Sequence, residues 1–169
     1  VVVLAQGRVV ASGSRDATRA AVREVSGTAR TIDTAGGAIL PGLVDVHVHV
    51  NALADAAGVL HAGATSIRSG TSNFYQDVAM RPLATWKPGA VPRMRAAGVF
   101  VTPDLGDTVL ADPDLAPLAS LAGGVRSPEA LTYLVRVNLS RDVDVVKTRA
   151  NPRAGVATQD PLELVYDRT

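Results

Sequence analysis

Apolar and polar residues alternate in short runs over residues 1–38. "VVVLAQGRVVASGS" carries two apolar runs on either side of Gln6-Gly7, and "ARTIDTAGGAIL" carries two more around Gly36-Gly37. Runs separated by turn residues predict a small antiparallel sheet. From Ala38 the pattern changes, and strand-like runs alternate with helix-like stretches, as in parallel βα units. The first strand is expected over residues 39–50, followed by a short helix in "LADAAGVLHAG" with Gly63 at the C′ position. "ATSIRS" reads as the second strand, and "AAGVFVTP" as the third, ended by Pro103. "SPEALTYLVRVNL" reads as a helix, with Ser127 as N-cap, Pro128 in the first turn and Glu129 beside it. "DVDVVKTRA" reads as the fourth strand.

Two stretches, "TSNFYQD" and "TPDLGDTVLADPDLAPLASLAGG", are rich in turn residues and follow strands two and three, where an α/β barrel carries its active-site loops. Four βα units at most can be counted. Residues 39–169 are about half of the roughly 250 residues that a closed (β/α)8 barrel needs. The chain opens at Val1 inside a strand pattern, and "VYDRT" ends it on a helix start with Asp167 as N-cap. Both ends are therefore expected to cut through folded structure.

One strand carries chemistry. In "LPGLVDVHVHV" strict alternation puts Asp45, His47 and His49 on one face and Val44, Val46, Val48 and Val50 on the other. Two imidazoles at alternate positions of a strand end can grip one cation. A wet histidine face on an edge strand is the plainer alternative. A buried valine face, the Pro41-Gly42 break and the position at a barrel strand's C-terminal end favour the metal. Lys147 closes an apolar run and would ordinarily snorkel to solvent. Pointed into a barrel mouth, its amine would be neutral and could form a Schiff base or capture carbon dioxide as a carbamate. His61 closes a helix, where a cation suits the dipole, and is read as structural. Arg68 on strand two could bind an anionic group or make a salt bridge. Phe74, Tyr75 and Trp86 receive no role.

Composition narrows the function classes. The chain has 169 residues, 47% hydrophobic and 20% charged, with 17 basic and 16 acidic side chains. A net charge of +1 without a basic block argues against a nucleic-acid partner. No apolar run approaches the roughly 20 residues of a membrane span. Nothing at the N-terminus reads as a signal peptide, and a cytoplasmic location is expected. The absence of cysteine excludes disulfides and thiolate ligands, so any transition metal must be held by His, Asp, Glu or a modified side chain.

Taken together these stretches resemble the amidohydrolase superfamily. "AILPGLVDVHVHV" is similar to the motif P-G-[LI]-[IV]-D-x-H-x-H that ends the family's first barrel strand. "LHAGATSIRSG" resembles L-x-x-G-x-T-[ST]-[VI]-R-D-x-G, with Ser69 where aspartate is common and one residue fewer before Gly70. "VPRMRAAGVFVTP" resembles the segment before strand three, and "DVDVVKTRANPRAG" the strand-four segment with its carboxylated lysine. The match is best to the prolidase-like and imidazolonepropionase-like branch, and Lys147 favours the two-metal, prolidase-like side.

The resemblance implies an α/β fold. Residues 1–38 would be part of an N-terminal β-sandwich, and residues 39–169 the first half of a TIM-type barrel. It implies that His47 and His49 bind a first divalent metal and that Lys147, as a carbamate, bridges two, with zinc the expected ion. It also implies histidines from strands five and six and a catalytic aspartate from strand eight. None of these is present, and no histidine follows Lys147. Asp160 and Asp167 fall in a loop and at a helix start. The implied activity is metal-dependent hydrolysis of an amide-type C–N bond in a dipeptide, an N-acyl amino acid or a cyclic amide. The chain alone is expected to be inactive and prone to self-association, its partner being a C-terminal half or a second chain. A non-catalytic half-barrel and a lysine-based Schiff-base lyase are the alternatives.

Overall fold

In the computed structural model of the chain, residues 1–25, 30–102, 105, 112–121 and 125–149 are described. Asp160, Asp167, Pro103 and Ala150 therefore lie outside the described residues. Two compact units, Val1–Pro41 and Gly42–Thr169, divide the chain. Among the described residues no helix is long and apolar enough to cross a membrane.

The first unit holds the expected hairpin. β1 (Val2–Ala5) pairs antiparallel with β2 (Arg8–Ser12). Gln6 and Gly7 both take positive φ, 50° and 74°, the two-residue turn whose twist suits a hairpin. The second pair of runs, around Gly36-Gly37, forms no strands. Asp33 accepts from the Ala35 N–H (2.8 Å), and Thr34 closes the turn by accepting from the Gly37 N–H (2.8 Å). These local bonds satisfy the backbone without a ladder. The chain instead forms α1 (Arg15–Val25), where β pattern was expected. The Ser14 hydroxyl accepts from the Ala17 N–H at 3.2 Å, and Asp16 lies in the first turn. That cap, followed by an alanine-rich stretch, is a helix signal.

The second unit is mixed α/β. β3 (Leu43–Val48), β4 (Ala64–Ser69) and β5 (Arg93–Arg95) form a parallel sheet in the order β3-β4-β5. α2 (Leu53–His61) connects the first two, and its end is closed by the Ala62 and Gly63 N–H groups bonding Gly58 and Leu60 carbonyls. β4 is followed by a 3-10 turn (Asn73–Tyr75), α3 (Gln76–Met80) and α4 (Leu83–Trp86). α5 (Ala116–Ala119) and α6 (Pro128–Ser140) come after β5. Ser127 caps α6 as its sequence predicts, accepting from the Ala130 N–H at 3.1 Å.

No closed barrel forms among the described residues. Three expectations are corrected. The third strand is not residues 96–103 but β5, three residues long and ending at Arg95, because Gly98 takes φ +64° and breaks the extended run. A Cβ on Gly98 would also lie 2.8 Å from the Tyr75 ring and from Val143. The fourth strand is reduced to one parallel bridge, Val101 to Thr148, because Asp142 is left-handed (φ 59°) and Asp144 is held by side-chain bonds described below. Finally, the valines of β3 do not share a buried face. The ladder pairs Asp45 with Ile67 and then Val48 with Ser69, three steps along β3 against two along β4. This extra residue is a bulge. Val48 and Val50 pack in the core with Ala56, Ile67, Met80 and Met94, while Val44 and Val46 are exposed at 67% and 58%.

A second core gathers Val99, Val101, Leu115, Leu118 and Val125 against Ala130, Leu134 and Val137 of α6. Asn138, fully buried, grips the Val99 backbone from both sides. Its Nδ2 donates to the Val99 carbonyl (2.9 Å), and its Oδ1 accepts from the Val99 N–H (3.2 Å). Asn138→Ala strands both backbone groups. It should lower unfolding free energy by about 1–3 kcal/mol or more, whereas the exposed Leu139→Ala should stay within about 0.5 kcal/mol. Urea unfolding of the two variants checks this.

Candidate metal centre

His47 and His49 straddle the end of β3, His47 within the bulge and His49 just past it. The Asp45 carboxylate accepts from the His47 N–H (2.9 Å), holding the irregular backbone in place. Gly70, just past β4, donates its N–H to the Val48 carbonyl at 2.7 Å and so sits directly beside both histidines. A Cβ on Gly70 would lie 2.7 Å from His47 Cδ2, 2.9 Å from its Nε2 and 3.0 Å from His49 Cε1. Both rings therefore pack on a bare Cα, a close approach that only glycine permits. The ring centroids are 5.4 Å apart with planes at 53°. His49 Nδ1 lies 3.3 Å from the Thr71 carbonyl. A carbonyl only accepts, so Nδ1 is the donor in that contact, and in the neutral ring this leaves Nε2 as the atom able to bind a cation.

Lys147 completes the cluster, with Nζ 3.4 Å from His47 Nε2. The structure thus brings together His47 and His49 with Lys147, which lies a hundred residues beyond His47 in the chain. Two imidazoles and an amine fit a divalent cation in donor chemistry, with the amine becoming a ligand only once deprotonated or carbamylated. Among the described residues no group of three His, Cys, Asp or Glu side chains converges to hold a metal.

Lys147 is placed by contacts that its sequence does not announce. Its carbonyl accepts from the Val101 N–H (2.8 Å). Three residues earlier, Asp144 exchanges bonds with Ala96: Asp144 N–H to the Ala96 carbonyl (2.8 Å), and Ala96 N–H to Oδ2 (2.8 Å). Arg81 and Arg95 donate to the same carboxylate at 2.7 and 2.9 Å. Burial pushes the Asp144 carboxyl up, but the Ala96 N–H and the two guanidiniums outweigh it and hold it below the ordinary carboxylate value.

The other candidates separate. His61 closes α2 in its last turn. Trp86 is 78% exposed and Phe74 half-exposed. Tyr75 is buried under Arg141, whose guanidinium lies 4.3 Å from the ring centroid and pairs with Asp112 at 2.6 Å. Burial pushes the Tyr75 phenol up to about 12. Arg68 donates Nε–H to the Val46 carbonyl at 2.7 Å and lines a cleft of about 280 Å3 with His47, Gly70 and Lys147. Sequence reasoning missed Gly70 and Asp144. The small residue beside "SIRS" was a weak signal for the first, and nothing local marks the second.

No protein-family model matches the chain, and no curated protein does. Solved structures do. A Bifidobacterium longum protein described as a "putative prolidase" is 27% identical with a TM-score of 0.50, over 67% of this chain and 27% of that one. A prolidase complexed with N-methylphosphonate-L-proline is 19% identical with a TM-score of 0.51, over 76% of this chain and 38% of that one. A protein described as uncharacterized gives 20%, 0.51, 75% and 37%. This chain resembles prolidase-like proteins in structure. It spans between about a quarter and two-fifths of their length. At under 25% identity the last two share the fold alone.

Two outcomes follow from this geometry. Gly70→Ala should displace the two exposed rings while leaving the core intact, abolishing nuclear Overhauser contacts between them with the thermal midpoint shifted by less than about 4 °C, that is, under about 1 kcal/mol. Asp144, with a depressed carboxyl, stabilises the fold above its ordinary value of 3.8, and this contribution is lost as pH falls below that value. Asp144→Asn should therefore lower stability at neutral pH and flatten its decline below pH 3.8, as read by unfolding at a series of pH values.

Proposed function

We propose that the chain carries the first ligands of a metal-dependent hydrolase acting on an amide-type C–N bond. The substrate would be a dipeptide of the prolidase type, an N-acyl amino acid or a cyclic amide. The single observation that carries this reading is the meeting of His47, His49 and Lys147 at Gly70. The likeness to a prolidase-like structure at 27% identity supports it.

The residues present have distinct tasks. His49 offers Nε2, its Nδ1–H being taken by the Thr71 carbonyl. His47 offers Nε2 on the side facing Lys147. Lys147, once neutral, would add through its nitrogen to the carbon of carbon dioxide, one C=O π bond becoming an oxyanion as the N–C bond forms and the N–H proton passing to solvent, and the carbamate would offer anionic oxygens to a divalent ion. Divalent ions, zinc by the nitrogen and oxygen donor set, supply a water of pKa about 7 and a polarised carbonyl when bound. The remaining ligands and the catalytic aspartate would come from further sequence or a second chain.

Cobalt or zinc titration of the chain tests the ligand assignment. His47→Ala and His49→Ala should each weaken binding at least about tenfold, the loss expected for one metal ligand of a small set. Lys87 and Lys147 are the only lysines, so labelled bicarbonate should give one metal-dependent carbamate carbon signal that Lys147→Ala removes and Lys87→Ala spares. Metal binding indifferent to both histidines would sink the proposal. Borohydride trapping of a carbonyl compound on Lys147 would replace it with the lyase reading.

A further inference from the structure

The cleft beside the histidines is lined by His47, Arg68, Ser69, Gly70 and residues 145–148. Its charged lining residues are Arg68 and Lys147, both cationic, and no Asp or Glu lines it. The acids nearby in the chain are already committed. Asp45 accepts from the His47 N–H, and Asp144 holds Arg81 and Arg95. Nothing among the described residues neutralises Arg68.

The exposed guanidinium is also anchored at one end. Its Nε–H is spent on the Val46 carbonyl at 2.7 Å, which sets the plane of the group. Its two terminal nitrogens make no hydrogen bond within the described residues and remain a paired donor edge. Such an edge matches the two oxygens of a carboxylate. Val145 and Val146 supply an apolar wall, and about 280 Å3 suits a small molecule rather than a polymer.

We infer that Arg68 is a carboxylate-binding residue, and that the cleft takes a small carboxylate with an apolar body, held by Arg68 while its other end reaches His47 and Lys147. This rests on the hydrolase reading and sharpens it. Of the three substrate classes, dipeptides and N-acyl amino acids carry the required group, and a neutral cyclic amide does not.

The shared chemistry is a planar oxyanion, which bicarbonate also offers, and the test separates the two sources. The full chain is freed of metal with chelator and titrated at constant ionic strength with N-acetyl-L-proline, with its uncharged amide, and with bicarbonate. The acid should bind at least about tenfold more tightly than the amide, the margin of a charge-assisted hydrogen bond. Arg68→Gln should erase that preference, and Arg68→Lys should retain part of it through charge alone. Equal binding of acid and amide to the unmodified chain overturns the inference without any variant. So does a preference that survives Arg68→Gln, or bicarbonate displacing the N-acyl acid at equal concentration. Because no metal is present, the result is separate from the ligand titration above. Acid preference without metal binding would sink the hydrolase reading alone, and metal binding without acid preference would sink this one alone.

Discussion

Residues 96–101 cross the second unit without a regular ladder, and the rest of the unit depends on how their backbone is satisfied. Ala96 and Ala97 are wholly buried and Val99 nearly so. A buried backbone group without a partner costs about 1–3 kcal/mol, so each must be met. The Ala96 N–H goes to Asp144 and the Ala97 and Gly98 N–H groups to Asp77. Asn138 takes both groups of Val99, and the Gly98 carbonyl accepts from the Ser72 N–H and the Thr71 hydroxyl. Three buried or half-buried polar side chains replace the strand neighbour that a barrel would offer.

That replacement determines where the lysine goes. The segment carrying Lys147 docks on residues 96–101 through Asp144, Val145 and the Val101–Lys147 bond. Its tether is partly electrostatic, since Arg81 is only 24% exposed and Asp144 only 15%. Pairs so shielded are screened less than surface pairs. On the opposite side of the cluster the constraint is steric. The missing Cβ of Gly70 and the bulge before His49 let two rings lie against one backbone position. A polar clamp and a steric gap thus meet at one point, and His47 with Lys147 is the contact between them.

The charge balance of the cluster follows from this packing. Each nearby carboxylate is used to hold backbone or an arginine, leaving a cleft with cationic walls. A cation would enter such a place only with anionic ligands of its own, which suits a carbamate on Lys147 and an anionic substrate beside Arg68. The same carboxylates explain why the acids in the sequence are poor guides to ligands here.

Much of the local structure around the candidate site was legible in the chain itself. Alternation and turn residues located β1, β2, β3 and β4, the caps of α2 and α6 were readable from Gly63 and Ser127, and residue chemistry singled out His47, His49 and Lys147. These are local properties, set by the period of side chains along one segment and by groups within a few positions. Register, bulges and long-range clamps are not local. The extra residue in β3 that re-aims the valines, the break at Gly98, the shift of the third strand to β5, the reduction of the fourth to a single bridge, and the approach of Lys147 to His47 across a hundred residues arise only when distant backbones compete for the same hydrogen bonds. A one-residue shift in pairing reverses every side chain's face at no change in sequence pattern. The sequence by itself therefore determined where the candidate donor side chains lie along their segments, and the tertiary structure alone decided which of them face one another.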